Sequence, residues 1–229
     1  MTGKEMVYSF QQLLITMSPA FKTVERLDTY EILDYLNRTV DRYIKTKYLS
    51  GGSFINNTNT INANIGDLSK LVIATSKTYA FTQVVNMNNV YETDLPIDFL
   101  AYVRSDSKIT RTVVFTGTDI WVPNNEVDFN QIDQFITTAF NIPILEKPLV
   151  SIQNFEGDGS KEVLLIIDGF TTLTNYVLTY IKKPTAIDIS SNNCELADYL
   201  HEEIVRLAVV SYIDEYKTKL TQSKSKDNE

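Results

Sequence analysis

The sequence predicts an α+β protein: a helical packing layer built from N- and C-terminal helices, with a central antiparallel β sandwich or barrel between them in the chain. Three observations predict it. Apolar residues recur at a 3.6-residue period near both ends, in residues 28–49 and 195–220. Short β-prone runs separated by Gly, Asn, Asp or Pro fill the middle. Finally, 43% hydrophobic content in 229 residues is enough for a core, which excludes a wholly disordered chain.

A short helix is expected over Tyr8–Met17, ended by Ser18-Pro19. The main N-terminal helix gathers Ile32, Leu33, Leu36, Val40, Tyr43, Ile44 and Tyr48 on one side. Its start is set by Asp28 with Glu31, a capping-box spacing, or by Thr23, and Ser50-Gly51-Gly52 stops it near Leu49. Asp34 with Arg38 and Asp41 with Lys45 are acid-before-base pairs one turn apart, each worth about 0.3 kcal/mol.

Residues 51–66 are rich in Asn, Gly, Ser and Thr, whose side chains compete with regular backbone pairing. They form a surface loop or an arm toward a neighbouring subunit, with Phe54, Ile55, Ile61 and Ile65 as anchors in the second case. Strands are expected at Leu71–Ile73, Tyr79–Val85, Phe99–Val103, Thr112–Phe115, Ile120–Val122, Leu149–Ile152, Val163–Ile167 and Tyr176–Ile181. Asp128–Phe140 interrupts them with Phe129, Ile132, Phe135, Ile136 and Phe140 at helical spacing. Glu156-Gly157-Asp158-Gly159-Ser160 is a hairpin tip.

The last helix is expected from Glu195 to about Leu220, with Asn192 and Glu195 as its capping box. Leu196, Leu200, Ile204, Leu207, Ala208 and Tyr212 define its packing face, widened by Val205, Val209, Ile213 and Tyr216. A face that broad needs partners on more than one side: the β region and either the first helix or another subunit. The resulting organisation is helical at 1–50 and 191–222, mainly β at 51–190, with a disordered polar tail at 223–229.

Charge and composition narrow the function classes. The net charge of −8 divides into +1 over residues 1–50, −6 over 51–190 and −3 over 191–229. No basic cleft to grip a phosphate backbone is encoded, although a wall past which a polyanion slides needs little attraction. Cys194 alone supports neither a disulfide framework nor a metal cluster, and with no apolar signal core behind Met1 the expected setting is reducing and cytoplasmic, without membrane insertion.

The residues that carry chemistry elsewhere are sparse. His201 is the only histidine, and His201-Glu202-Glu203 lacks the one-turn spacing of a two-histidine zinc helix. A structural role with a hydrogen bond or charge pair to Asp198 is expected. Cys194 lies near a predicted helix start, but His201 is about two turns or ~10 Å along, too far to serve as its base. Asp94, Asp98, Asp106, Asp119, Glu126, Asp128 and Asp168 invite a two-carboxylate glycosidase reading that spacing alone cannot identify. Gly157-Asp158-Gly159-Ser160-Lys161 lacks the phosphate-loop spacing, and Gly51-Gly52-Ser53 follows a helix. The expectation is a non-enzyme with no catalytic residue, cofactor or metal. Thirteen tyrosines suit large, partly wet interfaces, as well as ordinary β surfaces.

Three stretches together carry a resemblance: Leu95-Pro96-Ile97-Asp98-Phe99-Leu100-Ala101-Tyr102-Val103-Arg104, Tyr180-Ile181-Lys182-Lys183-Pro184, and Glu195-Leu196-Ala197-Asp198-Tyr199-Leu200-His201-Glu202-Glu203-Ile204-Val205-Arg206-Leu207-Ala208. In the order helix, Asn-rich excursion, β domain and terminal helix, the chain resembles the neck proteins of tailed bacteriophages over most of residues 25–220. Closest are the head-to-tail adaptor, or tail-tubular, proteins of short-tailed and crAss-like phages. The resemblance implies a homo-oligomeric ring, commonly a dodecamer, in the virion neck or tail and assembled in the host cytoplasm. It also implies a portal protein above, a tail or nozzle protein below, and transient, non-sequence-specific passage of DNA. The alternative is a carbohydrate-binding or glycan-processing tail component.

Overall fold

The computed structural model describes residues 1–17, 27–50, 66–75, 82–83, 90–111, 119–128, 147–154, 161–167 and 171–226. The chain divides into a helical unit, Met1–Leu71 with Pro184–Glu229, and a β unit, Val72–Lys183. In outline it is an α+β fold, with helices from the two ends of the chain in one unit and a mixed β-sheet region in the other, one sheet being curled into an open half-barrel.

Helix α1 spans Gly3–Met17, five residues earlier than Tyr8. The signal for the earlier start is Thr2 with Glu5, a full capping box. Thr2 Oγ1 accepts the Glu5 N–H at 3.3 Å, and Glu5 Oε2 accepts the Thr2 N–H at 2.8 Å. Helix α2 spans Thr29–Ser50 and starts from Asp28, whose Oδ1 accepts the Tyr30 N–H. Ile32, Leu33, Leu36, Val40, Tyr43 and Ile44 are buried along it.

The terminal helix α3 spans His201–Lys226, preceded by a 3-10 turn at Asp198–Leu200. It therefore starts six residues after Glu195 and continues through 223–226, where a polar tail was expected. The predicted cap residues are engaged elsewhere. Glu195 accepts the Thr185 N–H and hydroxyl, and Asn192 O accepts the Asp188 N–H. Ala197 is extended, at φ −60° and ψ 142°. The Glu195 carboxylate that would complete a local cap is thus taken by Thr185.

His201, Ile204, Val205, Ala208, Val209, Tyr212 and Ile213 are buried along α3, as are Leu196 and Leu200 ahead of it. Leu207 is not: it is 42% exposed, which corrects its assignment to the packing face. At ~100° per residue, it lies roughly 145° from the centre of the buried stripe. Val205 lies near the middle of that stripe, and Val209 and Ile213 widen it on one side, as expected. Tyr212 joins the three helices. Its ring meets Phe10 of α1 edge-on at 6.2 Å and Tyr35 of α2 at 5.2 Å, while the Tyr35 hydroxyl donates to Glu215 at 2.6 Å.

The β unit contains β1 (Val72–Thr75), β2 (Thr82–Gln83), β3 (Val90–Asp94), β4 (Phe99–Arg111), β5 (Ile120–Pro123), β6 (Asn125–Glu126), β7 (Leu149–Asn154), β8 (Lys161–Ile166) and β9 (Thr171–Lys182). One sheet runs β1-β9-β4-β5 and the other β2-β3-β8-β7-β6. All pairs are antiparallel except β6–β7. The long pair β4–β9 has register shifts at Phe99/Ala101 and Tyr102/Arg104, with the extra residue on β4, and at Lys108/Ile109, with the extra residue on β9. One core joins the sheets: Tyr102, Tyr176, Leu178 and Tyr180 from the first, Val150, Val163 and Leu165 from the second. On the other face of β8, Ile166 packs with Val90 and Leu149. Burial on both faces accounts for the unbroken apolar run Val163–Ile167.

Several expectations fall outside the described residues: the anchors Phe54, Ile55, Ile61 and Ile65, the Thr112–Phe115 strand, most of the 128–140 helix, the 156–160 hairpin tip and Asp168. Asn154 pairs with Lys161 across β7 and β8.

Candidate interaction surfaces

Two of the three stretches that carry the phage resemblance meet at the end of β9. Residues 96–99 form a tight turn closed by Phe99 N–H donating to Pro96 O at 2.9 Å. Asp98 ties it down. Its Oδ1 accepts the Tyr180 hydroxyl at 2.9 Å, and its carbonyl accepts the Lys183 N–H at 2.6 Å. The Phe99 ring stacks on Tyr180 at 5.7 Å, and Leu95 is buried behind the turn. At the tip, Ile97 is fully exposed. A fixed turn that holds an isoleucine in water gains nothing locally from that side chain, which makes Ile97 a candidate contact residue.

In the helical unit, the segment between Pro184 and α3 is strapped down by side chains that stand in for a strand partner. Asn37 of α2 donates through Nδ2 to Ile187 O at 3.2 Å and accepts the Ile187 N–H on Oδ1 at 2.7 Å. Asn193 Oδ1 accepts from Gly3 N–H at 3.4 Å, and Gly3 lies so close to the segment that an added Cβ would overlap the Asp188 carbonyl oxygen. Asp188 in turn accepts the Ile189 N–H and the Ser190 and Ser191 hydroxyls; the Ser190 hydroxyl and the Ile189 N–H hold its carboxyl below the usual range.

A second clamp joins the 66–71 segment to the helices. Asp67 accepts from Lys47 at 2.8 Å, Tyr199 at 2.7 Å and Tyr43 at 3.2 Å. The Lys47 bond, then Tyr199, lowers the Asp67 pKa, and the Asp67 bond raises that of Lys47. Lys70 pairs with Asp198 at 2.9 Å. Beside this clamp a groove of about 540 Å³ runs between α2 and α3, lined by Thr39, Arg42 and Glu203 and by the exposed apolar pair Leu207 and Val210. A periodicity reading misses both Asp67 and Asn37, because their partners lie 20 to 150 residues away. For Ile97, the Leu-Pro-Ile-Asp-Phe turn sequence was the available signal.

The residues weighed for chemistry are mostly committed to structure. His201 is buried; its Nε2 is 3.0 Å from Leu196 O, its Nδ1 2.7 Å from the Met1 nitrogen, and Asp198 is 4.0 Å away. Burial lowers its pKa. Cys194 is also buried and does not begin a helix, and burial raises its thiol pKa, opposite to what nucleophilic activation requires. Asp119 is held by Lys108 at 2.7 Å and by the Thr110 hydroxyl, which keep its carboxyl ionised, and Asp106 faces Arg104 at 3.8 Å. Asp94 and Glu126 lie at the end of β3 and in β6, and Asp128 follows β6. Among the described residues no cluster of three or more metal-ligating side chains occurs, and no helix is long and apolar enough to cross a membrane.

Neither a protein-family model nor a curated protein matches the chain.

Proposed function

We propose that the chain is a head-to-tail adaptor subunit, one copy of a ring below a phage portal that lines a channel for DNA. The observation that carries the reading is the joint occurrence of the Leu95–Arg104, Tyr180–Pro184 and Glu195–Ala208 stretches. The bonded contact of the first two through Asp98 supports it, because a shared turn explains why they occur together. We read the two sheets as a sandwich over their common core, a rigid body suited to a ring.

Ring closure needs two unlike surfaces on each subunit, since head-to-tail contacts close only through a rotation. Exposed Ile97 at the β turn and the Leu207–Val210 groove at the helices are such surfaces. The portal sits above and a tail or nozzle protein below, and a net charge of −8 keeps passing DNA from sticking. For a carbohydrate-binding or glycan-processing tail component, two facing carboxylates are the requirement. Asp98 and Asp119 are already hydrogen-bonded in the turn and the sheet, and Glu126, whose carboxyl pKa burial pushes up, is one group and not a facing pair.

Cryo-electron microscopy of the purified protein with the portal of its own virion tests the adaptor. A closed ring seated on the portal is the expected result. A protein that stays monomeric at high concentration and does not bind the portal overturns it.

A further inference from the structure

His201 is the only histidine in the chain and sits at the junction of three segments. Its two ring nitrogens have fixed and opposite duties. Leu196 O can only accept, so Nε2 carries the proton and donates to it at 3.0 Å. Nδ1 is then left with its lone pair and accepts from the Met1 nitrogen at 2.7 Å. The neutral Nε2-H tautomer satisfies both bonds with the Met1 nitrogen as the donor.

From this geometry we propose that His201 is an acid-sensitive latch that holds the first turn of α1 against the start of α3 only while the imidazole is neutral. A second proton must go on Nδ1, turning the acceptor into a donor that faces another donor. The charged groups around the ring do not absorb the change. The Met1 nitrogen is the donor already facing Nδ1, and Lys70 is a cation, so neither receives the added proton. Asp198, the nearby anion at 4.0 Å, is bonded to Lys70 at 2.9 Å and is largely exposed. The rest of α1 is held by Met6, Val7, Phe10 and Leu14, whose burial has no pH dependence. Acid therefore loosens Met1–Glu5, which is then left to the long 3.4 Å bond from Gly3 to Asn193, and leaves the body of the helix docked.

The linkage has a definite direction. Burial lowers the folded-state pKa below the ordinary 6.5, so the unfolded or unlatched form takes up the proton first. The latch is fully closed above pH 6.5 and is lost as pH falls from there through the lowered value.

Because there is one histidine, NMR of its ring protons in the full chain reads this group alone, while amide exchange follows Gly3–Glu5 and Phe10 separately. The expected result is a midpoint below 6.5, with protection at Gly3–Glu5 falling at least tenfold across the same titration and protection at Phe10 unchanged. His201→Gln can donate to Leu196 O and accept from Met1, so its Gly3–Glu5 protection should stay constant with pH. A ring midpoint at or above 6.5 overturns the proposal. So does protection at Gly3–Glu5 that is flat in the native protein. Should His201→Gln fold poorly, the two native-protein readouts decide the matter on their own.

Discussion

The two units solve the same problem, joining distant stretches of chain, by different means. In the β unit the long-range connections are backbone ladders: β4 and β9 pair almost end to end, and the side chains fill a shared core. In the helical unit no ladder exists among the described residues, and helix faces alone leave the entering and leaving segments loose. Side chains take over. Asn37 mimics a strand for Ile187, Asn193 receives Gly3, and Asp67 gathers Lys47, Tyr43 and Tyr199. Polar single-residue changes should therefore act more widely in the helical unit. In the β unit they should act where the ladder is broken.

The largest effect is expected from Ile204→Asp, which puts a charge at a fully buried position in α3. A loss of about 4 kcal/mol or more follows from burying an unpaired carboxylate. Helical circular dichroism on heating should move first, and Trp121 fluorescence, from the lone tryptophan in the β unit, should move less. Equal shifts in both signals would break the comparison. Unchanged melting would remove Ile204 from the core altogether.

Asn37→Ala comes next. It removes both bonds to Ile187 and leaves a buried backbone N–H unmet, at a cost of about 2 kcal/mol. The counterpart in the β unit is Asn124, at the step from β5 to β6 between the sheets. Its Nδ2 donates to Ser105 Oγ at 2.9 Å, its Oδ1 accepts from Ser107 Oγ at 2.7 Å, and the Tyr102 hydroxyl lies 3.0 Å from Ser105 Oγ. Burial pushes the Tyr102 phenol up to about 12, so it stays protonated as part of this network. Asn124→Ala takes the acceptor from the buried Ser107 hydroxyl, while Ser105 keeps Tyr102, and should cost about 1.5 kcal/mol, read by Trp121 fluorescence on denaturation. If Asn37→Ala is the milder of the two, the strap is not what holds the helical unit.

These clamps also mark where the sequence was legible. Amphipathic periods gave α2 and most of α3, and β-prone runs gave the sites of β1, β2, β4, β5, β7, β8 and β9. Both signals are local, and burial selects them locally. The start of α3 differs from the expectation because the Glu195 carboxylate, which has cap chemistry, binds Thr185 instead. Strand β3, Val90–Asp94, escaped notice because Tyr91, Glu92 and Thr93 are only half-buried and make no apolar alternation. Leu207 was misassigned for a different reason: in a helix apolar on so many positions, period alone does not say where the stripe ends. The approach of His201 to Asp198, at 4.0 Å, was legible from their one-turn spacing, whereas its contact with Met1 spans 200 residues.

Gly3→Ala has an effect whose sign is more informative than its size. In an exposed helix the change should stabilise by about 1 kcal/mol. Here the new methyl meets the Asp188 carbonyl oxygen, and forcing the strap away costs roughly 1–3 kcal/mol. A net loss near 1 kcal/mol in chemical denaturation is expected. A gain would mean that α1 does not rest on the strap.

Leu207→Ser should change stability least, within about 0.5 kcal/mol, because the side chain already meets solvent. That near-silence is what makes it useful. Ile204 and Leu207 are one turn apart on α3, yet one belongs to the fold and the other to the groove beside Val210. If the groove receives a neighbouring subunit, Leu207→Ser melts like the native protein but shifts sedimentation toward the monomer. The same holds for Ile97→Ser in the β unit, where the turn keeps its Asp98 bonds. Loss of stability without loss of assembly would return Leu207 to the core. Loss of neither would leave the two exposed residues with no part in any ring.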